Sequence, residues 1–285
     1  MPANSIAELN EVEGDLHIDE NAVIGAGDPA KGIVVSGKIR CKNCLFNCNV
    51  FALSLRGEGG EITVDGSLMV ENLVKVIDGS LSVRGELHAK KIEVDEKLMV
   101  EGDVRAGEIS VGKIFETHGN VEAEKIYVGD KITVDGNLTL SGKLEVGDFV
   151  EVEKTLSARF IEVGGTLRAR YIDAVESVDV GGEITTVDGV KADKVTIGGR
   201  GRIYGVVVAE EVTLEEKARV EDIYANILFM EERAAARNVY VEKAYLKEAC
   251  EIAGELQYTG ELKTERKVRF ATKPKKVKAL PTAPI

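Results

Sequence analysis

Gly85-Glu-Leu87-His-Ala89-Lys-Lys-Ile92-Glu-Val94, Gly102-Asp-Val104-Arg-Ala106-Gly-Glu-Ile109-Ser-Val111 and Gly119-Asn-Val121-Glu-Ala123-Glu-Lys-Ile126-Tyr-Val128 are one pattern written three times, seventeen residues apart. Each copy is a glycine, an alternating apolar pair, two polar residues at a corner and a second alternating pair. Alternation with period two is the signature of a half-buried strand, and a fixed internal period sets the architecture before any site is considered.

The register extends outward from this stretch. Toward the N-terminus it fits Leu16 and Ile18 after Gly14, the whole of Gly37-Lys-Ile39-Arg-Cys41-Lys-Asn-Cys44, and Leu68, Val70 and Leu73 after Gly66. The glycine intervals there are 23 and 29, one repeat plus six or twelve residues, so the repeat divides into three faces of five or six. Toward the C-terminus, Leu156, Ala158, Ile161 and Val163 fit, and Gly165-Thr-Leu167-Arg-Ala169 follows after another slip of one face. The regular beat returns at Val190 and Val207 and continues through Ile223, Val239 and Leu256 to Leu262. Clusters of Glu, Ala and Lys/Arg at 230–237 and 244–253 offer helix as a competing reading, but no long window holds a 3.6-residue period.

Short strands of this kind cannot each bury a face alone, but coil stacked on coil can. The sequence therefore predicts an all-β chain: a single-domain parallel β-helix, three-faced, with about 17 residues per coil and about fourteen coils over 14–262. Residues 1–13 are expected to be a short tail or cap, and 263–285 a basic, Pro-containing tail without order. In-register stacking also penalises like charges in outward ladders, and the sign alternates at Lys91, Glu108 and Lys125; the position between the first apolar pair reads His88, Arg105 and Glu122.

Composition agrees. With no Trp and seven each of Phe and Tyr, the core must come from Val, Ile, Leu and Ala, and thirty glycines supply many tight turns. The net charge of −12 is uneven: residues 261–285 hold eight Lys/Arg against two Asp/Glu, a balance of +6 that leaves −18 for 1–260. An acidic body disfavours nucleic acid as a partner. The basic tail, with Arg266, Lys267, Arg269, Lys273, Lys275, Lys276 and Lys278, suits an anionic membrane surface or an acidic neighbour. No apolar run is long enough to span a bilayer and no secretory signal is evident, so the cytoplasm is the expected location, with membrane association through the tail as an option. Abundant Glu and Lys with a single glutamine, Gln257, lean toward a thermophile.

The iterated Gly-x-Leu/Val-x-Ala-x-x-Ile-x-Val grammar, clearest in 85–128 and 205–214, resembles the bactofilins, polymer-forming cytoskeletal proteins of bacteria and archaea. The resemblance covers roughly residues 14–262 and lies in repeat grammar; the patterned region is longer than the usual bactofilin core, and the family's apolar membrane-attachment segment has no match in 1–13. It implies a right-handed β-helix whose copies join end to end into non-polar filaments without nucleotide or cofactor, serving as a scaffold. The self-partner interface is expected in the C-terminal coils, at Ile223, Ile227, Phe229, Val239, Val241 and Leu246. The alternative is a non-polymerising β-helix subunit of a larger complex.

Catalytic chemistry finds little support, and no enzyme is expected. Cys41-x2-Cys44-x3-Cys48 has the spacing of a zinc or iron–sulfur site. The repeat turns Cys41 and Cys44 inward, at the positions of Ala89 and Ile92, where a small apolar thiol needs no metal; a disulfide is the third reading. His17, His88 and His118 fall at outward or corner positions. Gly198-Gly-Arg-Gly-Arg lacks the Lys-Ser/Thr and the helix of a phosphate-cradling loop. The repeat length differs from the eighteen of hexapeptide acyltransferases, and the loops are too short for a lyase-type cleft.

Overall fold

A computed structural model describes residues 1–285 as strands and turns with no helix. All strand pairing is parallel, and the chain winds as a β-solenoid of about 16 turns with ~17 residues per coil. The count exceeds the expected fourteen because strands lie at Ile6–Leu9 and Glu11–Val12 before the patterned region and at Arg269–Phe270 and Lys275–Lys276 after it. The chain falls into two compact units, Met1–Gly142 and Lys143–Ile285.

In the first unit the threefold repeat stacks in register. Leu87 pairs with Val104, Val104 with Val121 and Val121 with Leu138; Ile92 pairs with Ile109 and Ile109 with Ile126; Leu98 pairs with Phe115 and Phe115 with Ile132. These are the inward rows of three faces, and every member is fully buried. Each such side chain contributes on the order of 1.5–3 kcal/mol of burial, against ~1–2 kcal/mol of backbone entropy per ordered residue. A lone coil therefore cannot stand, and stacking is what makes the sequence fold. In the ladder expected to alternate, Lys91 Nζ lies 3.1 Å from Glu108, and in the neighbouring outward row Arg105 Nε lies 3.4 Å from Glu122.

One corner of these coils is set by Asp/Asn side chains and glycine. Asp103 accepts from the Asn120 amide at 2.7 Å, and Asn120 Oδ1 accepts from the Asn137 amide at 3.0 Å. Beside them, a β-carbon on Gly119 would lie 2.4 Å from the Gly102 backbone. Thr117, the buried polar residue of this corner, donates to the Gly102 carbonyl at 2.9 Å and accepts from Gly119 N–H at 3.2 Å.

The slips are steps of one face. Ile39 pairs with Leu55, Leu55 with Val74 and Val74 with Ile92, so the copy beginning at Gly37 lies one face out of phase with the copy beginning at Gly85.

In the second unit the strands from Phe149 to Leu246 run 12 to 15 residues and bend at corners, where the register shifts. Inward rows run Val150, Leu167, Ile184, Ile203; Leu156, Ile172, Val190, Val207, Ile223, Val239, Leu256; and Ile161, Val178, Val195, Val212, Leu228, Ala244. The segments 230–237 and 244–253, where helix competed, are strand and turn. Their charged residues sit at corners, and Arg200, Lys217, Arg233, Ala249 and Lys267 occupy the left-handed region with φ of 66, 63, 61, 60 and 59°.

Candidate assembly surfaces

Parallel coils end in strands that have a neighbour on one side only. At the N-terminal end Ile6–Leu9 pairs with Val23–Ala26, and Glu11–Val12 pairs with Val34 and Val35. Ala7 and Leu9 are half-buried, whereas Ile24, the partner of Ala7, is fully buried, and Ile6 is 81% exposed. At the C-terminal end Glu261 to Thr264 pairs with Lys243 to Leu246, and Leu262 is left half-buried. Arg269–Phe270 lies on Glu251 and Ile252, and Lys275–Lys276 on Gln257 and Tyr258.

The residues expected to form a self-interface are placed elsewhere. Ile223, Val239, Val241 and Leu246 point into the core, at most 2% exposed, in coils paired on both sides. Ile227 and Phe229 face outward, and the Phe229 ring stacks on Tyr245 at 5.1 Å. The free edge lies about one coil further along, where Glu261 to Thr264 stack on Lys243 to Leu246.

The basic tail, expected to lack order, continues the winding. Lys267 turns the last corner and pairs with Glu248 at 2.8 Å, Arg269 pairs with Glu251 at 2.9 Å, and the Lys276 ammonium sits 5.9 Å from the centre of the Tyr258 ring. Arg266, Lys273, Lys275 and Lys278 are exposed. Acidic outward rows of the preceding coils supply the partners that composition could not reveal. Beyond Lys276 the backbone leaves the ladder: Val277 N–H donates to the Tyr258 carbonyl at 2.9 Å, and the chain then runs back along the second unit. Its last residue reaches Gly189, where a β-carbon would lie 2.7 Å from Ile285 Cδ1. Gly189 is buried, at a φ of 110°. The chain bends at Lys278 and Ala279, and beyond the bend Leu280 and Ala283 are half-buried between exposed neighbours, the period of three of a polyproline helix, for which Pro281 and Pro284 fix φ.

This strap returns along a face whose outward row is Lys191, Val208, Tyr224, Tyr240, Gln257 and Lys275. Tyr224 and Tyr240 stack at 4.7 Å, burial raises the pKa of both phenols, and Tyr240 donates to Glu255 at 2.5 Å.

In the first unit the same repeat position runs Glu11, Val34, Phe51, Met69, His88, Arg105 and Glu122. Beside it lies a groove of about 850 Å³ floored by Ala52, Ala89 and Ala106. Small residues at this corner make the surface concave. Val34 and Phe51 are 44% and 38% exposed there.

Cys41 and Cys44 are buried, as their inward placement requires, and are joined as a disulfide. Cys41 belongs to the row of Gly57, Val76 and Val94, not to that of Ala89, because of the one-face slip. Cys48 is buried and free, with burial raising its pKa, and Cys250 likewise, pushed up to about 11. No group of three His, Cys, Asp or Glu side chains is gathered as a metal would need. The three histidines are exposed; His118 hydrogen-bonds Asp135 at 2.6 Å, which raises its pKa. No helix is long and apolar enough to cross a membrane. No protein-family model, curated protein or solved structure matches this chain.

Proposed function

We propose that the protein is a bactofilin-like scaffold that self-assembles end to end through its coil edges into nucleotide-independent filaments, without catalysing a reaction. One observation carries this reading: strands at both ends of the winding have a neighbour on one side only, over half-buried Ala7, Leu9 and Leu262. Unpaired strand edges recruit another chain unless something blunts them, and stacking a copy would satisfy the edge and bury those side chains together. The exposed lysines of the tail extend the proposal to an anionic membrane or an adjacent filament. Negative-stain electron microscopy of purified protein without nucleotide tests it, with filaments as the expected result. A strictly monomeric species at high concentration overturns it.

A second reading, an interaction subunit of a larger complex, is favoured by the apolar groove at Val34 and Phe51, which could receive a foreign chain.

A further inference from the structure

We propose that the groove at Val34, Phe51 and Met69 receives the C-terminal strap, residues 277–285, of a second copy stacked on the N-terminal coils, so that successive copies are locked head to tail. The inference rests on the self-assembly reading and adds to it a polarity and a clasp. Head-to-tail order differs from the non-polar filaments that the bactofilin resemblance implies.

The chain itself shows what this face binds. In the second unit the face is crossed by the chain's own strap, with Val277, Leu280 and Ala283 half-buried and Ile285 seated on Gly189. The fit is one of spacing. Three residues of polyproline helix advance about 9.3 Å, and two coils of a solenoid advance about 9.6 Å. An apolar residue at every third position therefore meets the outward row at every second coil. Past the bend at Lys278 and Ala279, the five residue steps from Leu280 to Ile285 reach about 16 Å, a little over three coil steps.

In the first unit the same position offers three successive apolar residues with no strap of their own. Polyproline segments are commonly held by apolar, aromatic-lined grooves, and Phe51 between Val34 and Met69 supplies one.

Charge and reach select the occupant. If the last coil of one copy lies under the first coil of the next with strands parallel, Lys275 and Lys276 fall opposite Glu11 and Val12. That continues the rows Gln257 to Lys275 and Glu11 to Val34 already paired within each chain. The exposed Lys278 then lies near Glu11 and Glu13. From Val277 the strap either folds back over its own coils or runs onward. Onward, with the bend at Lys278 and Ala279 opened, two coil steps bring Leu280 beside Val34, and two more bring Ala283 beside Met69, with Phe51 between. A copy joined tail to tail could not present this groove to the strap.

Photo-crosslinking in the full chain tests this. A light-isotope protein with p-benzoyl-phenylalanine in place of Ile285 is mixed with heavy-isotope wild-type protein under assembling conditions, irradiated and mapped by mass spectrometry. Light-to-heavy crosslinks into residues 34–88 are expected. They should fall about tenfold or more when the heavy chain carries Phe51→Glu or Val34→Glu, since a carboxylate is then buried against the strap. In a light chain carrying Phe51→Glu, the within-chain crosslink near Gly189 should persist, showing that the variant still folds. Filaments that form with no between-chain crosslinks in 34–88 overturn the clasp and leave self-assembly standing. Failure to form filaments, with only the within-chain crosslink near Gly189, overturns both.

Discussion

The corner at Gly102, Gly119 and Gly136 and the corner at Lys217, Arg233 and Ala249 bend the chain by opposite means. In the first, glycine is present for room: added β-carbons would meet backbone atoms of the coil beneath at 2.7 Å or less, while none of the three glycines has a positive φ. In the second, the backbone is left-handed at 60 to 63°, yet the residues are Lys, Arg and Ala. At the first corner glycine marks where coils touch, and at the second the unusual conformation is carried by residues that do not announce it.

The largest expected effect follows from the first corner. In Gly119→Ala the new methyl has no flexible side chain to displace; it meets the Gly102 carbonyl carbon and oxygen at 2.4 Å and Asp103 N at 2.6 Å. The coils must part, at a cost on the order of 3 kcal/mol. The urea midpoint of the purified variant measures it, and a midpoint equal to wild type would show that the glycine serves another purpose than close approach.

A smaller effect comes from the acid that the second unit places at its own Asp/Asn row. Asp222 accepts from Arg237 at 2.7 and 2.9 Å and from Asn238 Nδ2 at 2.9 Å, and the hydrogen bonds from Arg237 lower its pKa. A carboxylate depressed on folding adds stability above its unfolded pKa of about 3.9, and that stability is lost as pH falls through the folded value. Asp222→Asn should therefore cost about 1 kcal/mol at neutral pH. The difference should shrink toward zero as acid protonates the wild-type carboxyl below pH ~3.9. Denaturant midpoints of both proteins across that window give the comparison; a pH-independent gap would assign the loss to packing.

The inward rows were readable because period two survives every interruption: Leu87, Val104 and Val121 are buried where the pattern put them. Alternating charge at Lys91 and Glu108 was readable for the same reason, since register fixes both faces of a strand at once. What escaped was everything that depends on one coil meeting a different stretch of chain. The strap is too short for its period of three to stand out, and its binding face is assembled from residues sixteen to eighteen apart. The edge strands at Arg269–Phe270 and Lys275–Lys276 lie beyond the last clear repeat. The row of Cys41 could not be told from that of Ala89 without knowing which face a six-residue slip selects.

The smallest effect tests the second corner. Ala249 has a φ of 60°, and its N–H donates to the Arg266 carbonyl at 3.1 Å, so it is held there by the next coil. A non-glycine residue in this conformation is strained by roughly 1–2 kcal/mol. Glycine relieves that strain but gives back roughly 0.5–1 kcal/mol through the greater freedom of the unfolded chain. Ala249→Gly should therefore stabilise by less than about 1 kcal/mol. Asparagine tolerates the same region and keeps the unfolded chain stiffer; Asn21 and Asn43 hold φ of 60 and 47° at a corner of the first unit. Ala249→Asn should match or exceed the glycine variant, and Ala249→Val should fall below wild type because branching at the β-carbon worsens the clash. The order Asn, Gly, Ala, Val in urea midpoints is the expected outcome. A series ranked by side-chain size or apolarity would mean that this corner, like the one at Gly119, is governed by room.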